Sequence, residues 1–197
     1  LQELVKKGHI YIAQPPLYKV TRGKSSVYLK DEAAMEDYLI EQGTEEAVLT
    51  LADGEQRSGQ DLLELINHAR QCRDLIEAIA RQHAKSVVEQ VAIAGALSDD
   101  VLSDPQKGPE AAGFIASRLD AMSSETERGW SGEILDDFSL RFAREVRGVT
   151  EVQHVDSNLI HSAEARELDA MKEELKATYS KPATFTYKDK NQIINSP

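Results

Sequence analysis

The stretch Gly8-His9-Ile10-Tyr11-Ile12-Ala13-Gln14-Pro15-Pro16-Leu17-Tyr18-Lys19-Val20 decides how the N-terminal part of the chain is read. Ile10, Tyr11 and Ile12 are strand formers, whose β-branched and aromatic side chains suit a pleated surface. Pro15 and Pro16 then interrupt any regular ladder, because neither has an N–H to donate. Leu17–Val20 and Ser25–Lys30 flank Thr21-Arg22-Gly23-Lys24, the pattern of a hairpin in which Gly23 supplies the positive φ. Asp31–Gln42 follows as a short helix, with Ala34, Tyr38 and either Leu39 or Ile40 on one face and Gly43 as its stop.

Beyond Gly43 the pattern becomes helix-rich. Glu45–Leu51 alternates weakly and runs into Asp53-Gly54, a strand entering a turn. Ser58 with Asp61 three residues on is a helix-capping signal. Leu62, Leu65, Ile66, Ala69, Arg73 (as an aliphatic stem), Ile76, Ile79 and Ala80 then recur at helical spacing. Nothing breaks that stripe before about Ala84. Val87–Leu97 reads as a second helix closed by Ser98-Asp99-Asp100. Pro109 suits a first helical position, and Ala112, Ile115, Leu119 and Met122 form the stripe of a third helix. The period changes at Asp137–Asp156, where Phe138, Leu140 and Phe142 alternate, Arg147-Gly148 punctuates and Val149–Val155 alternates again: a second hairpin. Ser162–Tyr179 returns to helix with Leu168, Met171 and Leu175 inward. Ala183–Tyr187 and Gln192–Ile194 make a final strand pair around Asp189-Lys190-Asn191. The expected class is α+β: a strand hairpin and helix over 1–43, then a helix-rich unit with antiparallel hairpins over 44–197.

Charge is also uneven along the chain. The 197 residues hold 23 Lys+Arg and 34 Asp+Glu, a net −11. Residues 1–30 carry Lys6, Lys7, Lys19, Arg22, Lys24 and Lys30 against Glu3 alone, a net +5. Residues 180–197 are at +2, which leaves −18 on 31–179. A basic end on an acidic body reads as two units, and the acidic total argues against a general nucleic-acid binder. No run of about 18 apolar residues is present to span a membrane. The single Cys72 excludes an intramolecular disulfide framework and fits a reducing, cytoplasmic setting. A start at Leu1 with no Met, and an end directly after a strand-like run, suggest a piece of a longer protein.

Self-contained chemistry is hard to find. Gly23-Lys24-Ser25 looks like the end of a P-loop, but the Gly required five residues earlier is Tyr18. Trp130-Ser131-Gly132 resembles a nucleophile elbow, yet Glu133 stands where the closing Gly belongs, so a loop with a packed Trp is the simpler reading. His68 and His83 lie about four turns apart on one expected helix and cannot share an ion. The acidic pairs Asp99-Asp100 and Asp136-Asp137 diverge, and no Asp-x-Asp occurs. Cys72 lies within an amphipathic helix with only Arg73 as a basic neighbour, a poor setting for a nucleophile. No catalytic, cofactor-binding or metal-binding residue is assigned.

Residues 8–19 closely resemble a signature of the B subunit of bacterial DNA gyrase, a type IIA topoisomerase; Glu3-Leu4-Val5 and Tyr28-Leu29-Lys30-Asp31-Glu32 also fit. In the short form of that family the helix like Asp31–Gln42 leads almost directly to an Arg-Tyr-Lys-Gly-Leu-Gly motif. Here about 150 residues intervene, which resembles the long insertion in the metal-binding (TOPRIM) domain of Gram-negative-type gyrase B subunits.

The resemblance implies a parent enzyme that supercoils DNA with ATP and Mg²⁺, in partnership with the gyrase A subunit and other gyrase B domains. It also implies that the metal-binding Glu and Asp-x-Asp and the ATP site lie upstream of Leu1, and that the active Tyr belongs to the A subunit, so the chain by itself carries no active site. Gln14, Pro15, Pro16 and Leu17 would be TOPRIM structure. Lys19, Arg22, Lys24 and Lys30 would lie near DNA or the A subunit, or would be solvated strand-edge charges that discourage aggregation. Two other readings stay open: a stand-alone acidic interaction module built on the Ser58–Ala84 helix, and a topoisomerase IV B subunit.

Overall fold

A computed structural model describes residues 2–9, 11, 13 and 15–197. The strand expected around Ile10 and Ile12, and Gln14 of the proline motif, therefore lie outside the described residues wholly or in part. The N-terminal unit comprises helix α1 (Gln2–Lys6), strands β1 (Tyr18–Arg22) and β2 (Ser25–Leu29), and helix α2 (Glu32–Thr44). Arg22 stands opposite Ser25, so Gly23-Lys24 closes a two-residue turn. Gly23 takes φ 61° while Lys24 keeps a negative φ, the pattern of a type II′ turn. Asp31 caps α2 by accepting the Ala34 N–H at 2.8 Å. Gly43 does not stop this helix, which continues to Thr44. The Thr44 hydroxyl folds back to donate to the carbonyls of Ile40 and Glu41, so a hydrogen-bonded end replaces the glycine stop. The helix turns Ile40 rather than Leu39 inward; Leu39 is 58% exposed.

The second unit opens with β3 (Ala47–Thr50) and β4 (Gln56–Ser58) and closes with β8 (Ala183–Tyr187) and β9 (Lys190–Ile194). These form one antiparallel sheet in the order β4-β3-β8-β9. Leu49 is paired with Phe185 and Phe185 with Gln192. The last turn is Lys188-Asp189, one position earlier than composition suggests, with Lys188 at φ 53°. Between β4 and β8 run α3 (Gly59–Ile79), α4 (Lys85–Ala94), α5 (Asp99–Leu102), α6 (Lys107–Met122), a sheet of β5 (Ser131–Ile134), β6 (Leu140–Val146) and β7 (Val149–Val155), then α7 (Ser157–Ile160), α8 (Ala163–Ala170) and α9 (Lys172–Tyr179). The class is α+β, as expected.

Several boundaries differ for identifiable reasons. The long helix ends at Ile79, about 31 Å from its start at roughly 1.5 Å per residue. The chain then turns so that Val87, Val88 and Val91 of α4 bury beside Ile76 and Ile79; a straight helix would leave one of these groups in water. His83 lies in that turn, off the helix. Ser58 occupies the N-cap position of α3 but makes no side-chain cap bond. Helix α4 is closed by Gly95 in the left-handed region (φ 69°), and Ser98-Asp99-Asp100 opens α5 instead. Pro109 is the third residue of α6, not the first, and Met122 at its end is 46% exposed.

The second hairpin is a three-stranded sheet, because Ser131-Gly132 belongs to strand β5 rather than a loop. Phe138 is no strand residue; it takes φ 61° in the β5–β6 turn and is half exposed. Arg147-Gly148, with φ 53° and 78°, is a type I′ turn. Ser162–Tyr179 is two helices that meet at Met171.

Two apolar cores result. The larger gathers Ile76, Val91, Ile93, Ile115, Leu119, Leu140, Phe142 and Leu168, all at most 3% exposed, each worth roughly 1.5–3 kcal/mol of burial. The smaller holds Ala47, Leu49, Leu51, Leu62 and Ala183 under the sheet. Ile194 packs against both. Sheet β5-β6-β7 lies so close to α6 that a Cβ on Gly132 would stand 2.5 Å from the Ala112 carbonyl oxygen and 2.8 Å from Phe142 Cε1. Gly132→Ala should therefore force β5 off α6 and destabilise the unit by about 2 kcal/mol, measured by denaturant unfolding. Gly113→Ala, in open space on the same helix, should be neutral or slightly stabilising.

Candidate interaction site

The basic hairpin does not gather its cations into one patch. Alternation along β1 puts Lys19 on the face opposite Arg22. Lys19 faces Tyr28 across the hairpin, with Nζ 5.4 Å from the ring centre. Arg22 is turned to α2, where its Nη1 donates to Gln42 Oε1. Lys24 sits exposed at the turn, and Lys30 lies 3.5 Å from Asp31. Pro15, Pro16 and Leu17 precede β1 without secondary structure, and Leu17 is 70% exposed.

Charge also joins the two units, by an arrangement that spacing did not announce. Glu36 of α2 bridges two consecutive turns of α3: Oε1 accepts from Arg73 Nη1 at 2.8 Å and Oε2 from Arg70 Nη2 at 3.1 Å. Arg70 Nη1 also donates to Asp37 at 2.7 Å, and Arg73 Nη2 to Asp74 at 3.1 Å. Arg73 thus serves through its guanidinium and not as the aliphatic stem expected of it. Apart from Thr44, α2 has no buried residue, so this contact is ionic more than apolar. The Arg73 hydrogen bond, helped by the charges of Arg73 and Arg70, holds the Glu36 carboxyl below the usual carboxylate range.

A third arginine fastens the far end of the insert. Arg118 of α6 donates from Nε to Gln90 Oε1 (2.6 Å), from Nη1 to the Ser180 carbonyl (3.0 Å) and from Nη2 to the Asn195 carbonyl (2.7 Å). One side chain thereby ties α4, the end of α9 and the chain leaving β9. Nothing in the sequence marks Arg118 for this role, because an arginine on an amphipathic helix gives no local sign of distant carbonyls.

Nucleophilic and metal chemistry find little footing. Cys72 is buried, its Sγ 3.7 Å from Met171 Sδ. Burial, with the Glu174 charge, pushes its thiol up to about 11. His68 pairs with Glu174 across α3 and α9, and His161 with Asp99; the Asp99 hydrogen bond raises the His161 pKa. Among the described residues no group of three or more His, Cys, Asp or Glu could hold a metal ion, and no helix is long and apolar enough to cross a membrane.

The geometry defines a class: an insert whose opening strands β3 and β4 and closing strands β8 and β9 share one sheet, carried beside a small hairpin-and-helix unit. Two family models match the chain. Residues 47–196 match the DNA gyrase B subunit insert domain, and residues 16–42 match the family described as "GyrB, hook". The DNA gyrase B subunit of Caulobacter vibrioides (strain NA1000 / CB15N) is 40% identical over 197 residues, all of this chain and 23% of that relative. The Rickettsia conorii protein of the same name is 38% identical over 124 residues, 63% of this chain and 15% of the relative. The type 2 topoisomerase B subunit of Aquifex aeolicus is 31% identical over 88 residues, 45% of this chain and 11% of the relative. The chain belongs to the insert-domain family of DNA gyrase B subunits. It spans about a quarter of the length of the Caulobacter relatives, and its likeness to them along its whole length does not favour a free-standing interaction module.

Two outcomes follow from the arginine contacts. Glu36→Gln should cost about 1 kcal/mol of docking between α2 and α3, since the groups are partly exposed; hydrogen exchange of α2 amides should quicken roughly fivefold at neutral pH while the insert's protected amides stay unchanged. Because the folded pKa is depressed, this contribution is full above the ordinary carboxylate pKa and fades as pH falls through the lowered one. The gap between variant and parent should therefore close as pH falls below the ordinary carboxylate range. Arg118→Met, which keeps a stem but removes the donors, should destabilise the insert by about 2–3 kcal/mol in chemical denaturation.

Proposed function

We propose that the chain is a structural and coupling module of a larger DNA gyrase B subunit, the ATP-hydrolysing partner in a type II topoisomerase that negatively supercoils DNA. The observation that carries this reading is the β3–β8 pairing. With its opening strands β3 and β4 and its closing strands β8 and β9 in one sheet, the insert can stand as a body of its own beside the rest of the subunit.

In this reading residues 1–43 are the edge of the metal-binding TOPRIM region, with Pro15, Pro16 and Leu17 exposed because their packing partners belong to the host. ATP and Mg²⁺ are held by other parts of the subunit. The gyrase A subunit, the remaining gyrase B domains and DNA are the partners, and the setting is cytoplasmic. The acidic insert acts through protein contacts, since its net charge of −11 over residues 44–197 repels duplex phosphates at close range. Lys19, exposed on the outward hairpin face, and Lys24 at the tip are the cations placed to approach DNA or the A subunit. Arg22 and Lys30 are engaged within the chain by Gln42 and Asp31.

The isolated chain should neither retard duplex DNA strongly in a gel-shift assay nor relax supercoiled plasmid; tight binding that weakens steeply with salt would overturn the first expectation. In the complete enzyme, reversing Lys19 and Lys24 to Glu should weaken DNA binding or supercoiling several-fold. Unchanged values would leave these lysines as solvated edge charges only.

A further inference from the structure

A cleft of about 390 Å³ opens where the β3–β4 turn, the first turns of α3 and the middle of α9 meet. Asp53 and Glu55 of the turn, Asp61 and Glu64 of α3 and Glu174 of α9 line it, against Arg57 and His68. Both of these cations are taken: Arg57 Nη2 lies 2.9 Å from Glu55, and His68 pairs with Glu174. Asp53, Asp61 and Glu64 take part in no ion pair among the described residues, so the cleft keeps an acidic excess. The cleft between α4, α6 and α9 has none: Lys107 and Lys176 face Glu110 there beside Phe114, and Asp104 lies 3.6 Å from Lys107.

The unpaired carboxylates are held in place and held apart. Asp53 Oδ1 accepts the Glu55 N–H at 2.9 Å, and Glu64 Oε1 accepts from Gln60 at 3.1 Å. Asp61 sits in the first turn of α3, where the helix dipole favours a negative charge. They do not converge on one point: among the described residues no three acidic, His or Cys side chains are placed to hold a metal ion. Such an arrangement suits several cations carried in a row better than a single ion. Asp61, Glu64, Leu65 and His68 recur at helical spacing, so apolar Leu65 lies among the charges, with Leu51 and Ala177 also lining the cleft. Thr178 of α9 lines it too, is only 4% exposed and makes no hydrogen bond to any described residue. An enclosed hydroxyl without an internal partner calls for one from the cleft side.

From the unpaired carboxylates, their spacing and the apolar floor we infer that this cleft is a docking site for a basic peptide segment of a partner protein, with Lys or Arg alternating with aliphatic side chains. The segment's cationic groups meet Asp53, Asp61 and Glu64, its aliphatic side chains cover Leu65 and Leu51, and the Thr178 hydroxyl accepts one of its backbone N–H groups. Charge complementarity chooses this occupant, since an acidic segment meets only repulsion from the three free carboxylates. The inference goes beyond the coupling role proposed above. It concerns binding by this chain alone and stands or falls apart from the activity of a complete enzyme.

The test uses the full 197-residue chain at about 0.15 M salt, which screens diffuse attraction to the rest of the acidic surface. Two dye-labelled dodecapeptides are compared, one of Lys alternating with Leu and Ala, the other with Glu in place of every Lys. Amide NMR spectra and fluorescence anisotropy are read on both. The Lys peptide should bind saturably and shift the amides of Gly54, Asp61, Leu65 and Thr178. Asp61→Asn with Glu64→Gln should weaken it about fivefold while the dispersed spectrum of the fold stays intact. Asp136→Asn with Glu145→Gln removes the same charge from exposed positions at the β5-β6-β7 sheet and should leave the affinity within about twofold. Thr178→Val, which keeps the side chain's shape and loses its hydroxyl, should weaken the Lys peptide about threefold. The inference falls if the Lys peptide shifts none of these amides, if the Glu peptide shifts them equally, or if the two charge-removing pairs weaken binding alike. Spermine saturating the same amides as tightly as the Lys peptide would make the cleft a site for small cations and would also overturn it.

Discussion

The hydrogen bonding of β3 to β8 is the constraint on which the rest of the insert depends. These strands are separated by most of the chain, yet Val48 stands opposite Thr186 and Leu49 opposite Phe185. Closing so long a loop costs entropy that grows only slowly with its length. The cost is met by burial of Leu49, Leu62 and Ala183 beneath the sheet, and by the larger core that the intervening helices assemble. Because the closing strands are adjacent, everything between them can fold as a body of its own.

Helix α3 carries this closure into the larger core. Its first turns supply Leu62 to the small cluster, and its last turns supply Cys72, Ile76 and Ile79 to the large one. Ile194 returns at the other end of the chain to touch both. Arg118 secures the exit by three donated bonds, while Arg70 and Arg73 on the outer face of α3 hold the hairpin unit through Glu36 and Asp37. The apolar contacts therefore set the internal shape of the insert, and charged contacts set how its neighbour sits against it. The two kinds of contact respond differently to salt and acid.

Much of this was legible in the residues. The Gly23 turn, the Asp31 cap, the stripes of α3 and α6, and the closing pair of strands rest on local rules of backbone conformation and period. The misreadings share one cause. The stripe from Leu62 to Ala80 is compatible with a helix reaching Ala84; it stops at Ile79 because α4 must fold back to bury Val87 and Val91. Phe138 fits the alternation of a strand but serves a turn. Gly132 looks like loop punctuation, and is a strand residue because β5 presses on Ala112. Arg73 passes for an aliphatic stem until Glu36 is brought beside it. The candidate cations Lys19, Arg22, Lys24 and Lys30 form a cluster in sequence and not in space, since strand alternation sends Lys19 and Arg22 to opposite faces.

The sequence by itself determined the α+β class, the basic excess before residue 31 and the acidic excess over 31–179, and the family, the last through the Gly8–Lys19 stretch. These depend on composition, period and short-range backbone preference, which act over a few residues. Tertiary structure alone decided that β3 meets β8, that Glu36 clamps Arg70 and Arg73, that Arg118 reaches Asn195, and that Lys107 and Lys176 share a cleft with Phe114. Each of those contacts joins side chains far apart along the chain. No local preference encodes them; they follow from how the apolar faces of all the helices and sheets are buried at once.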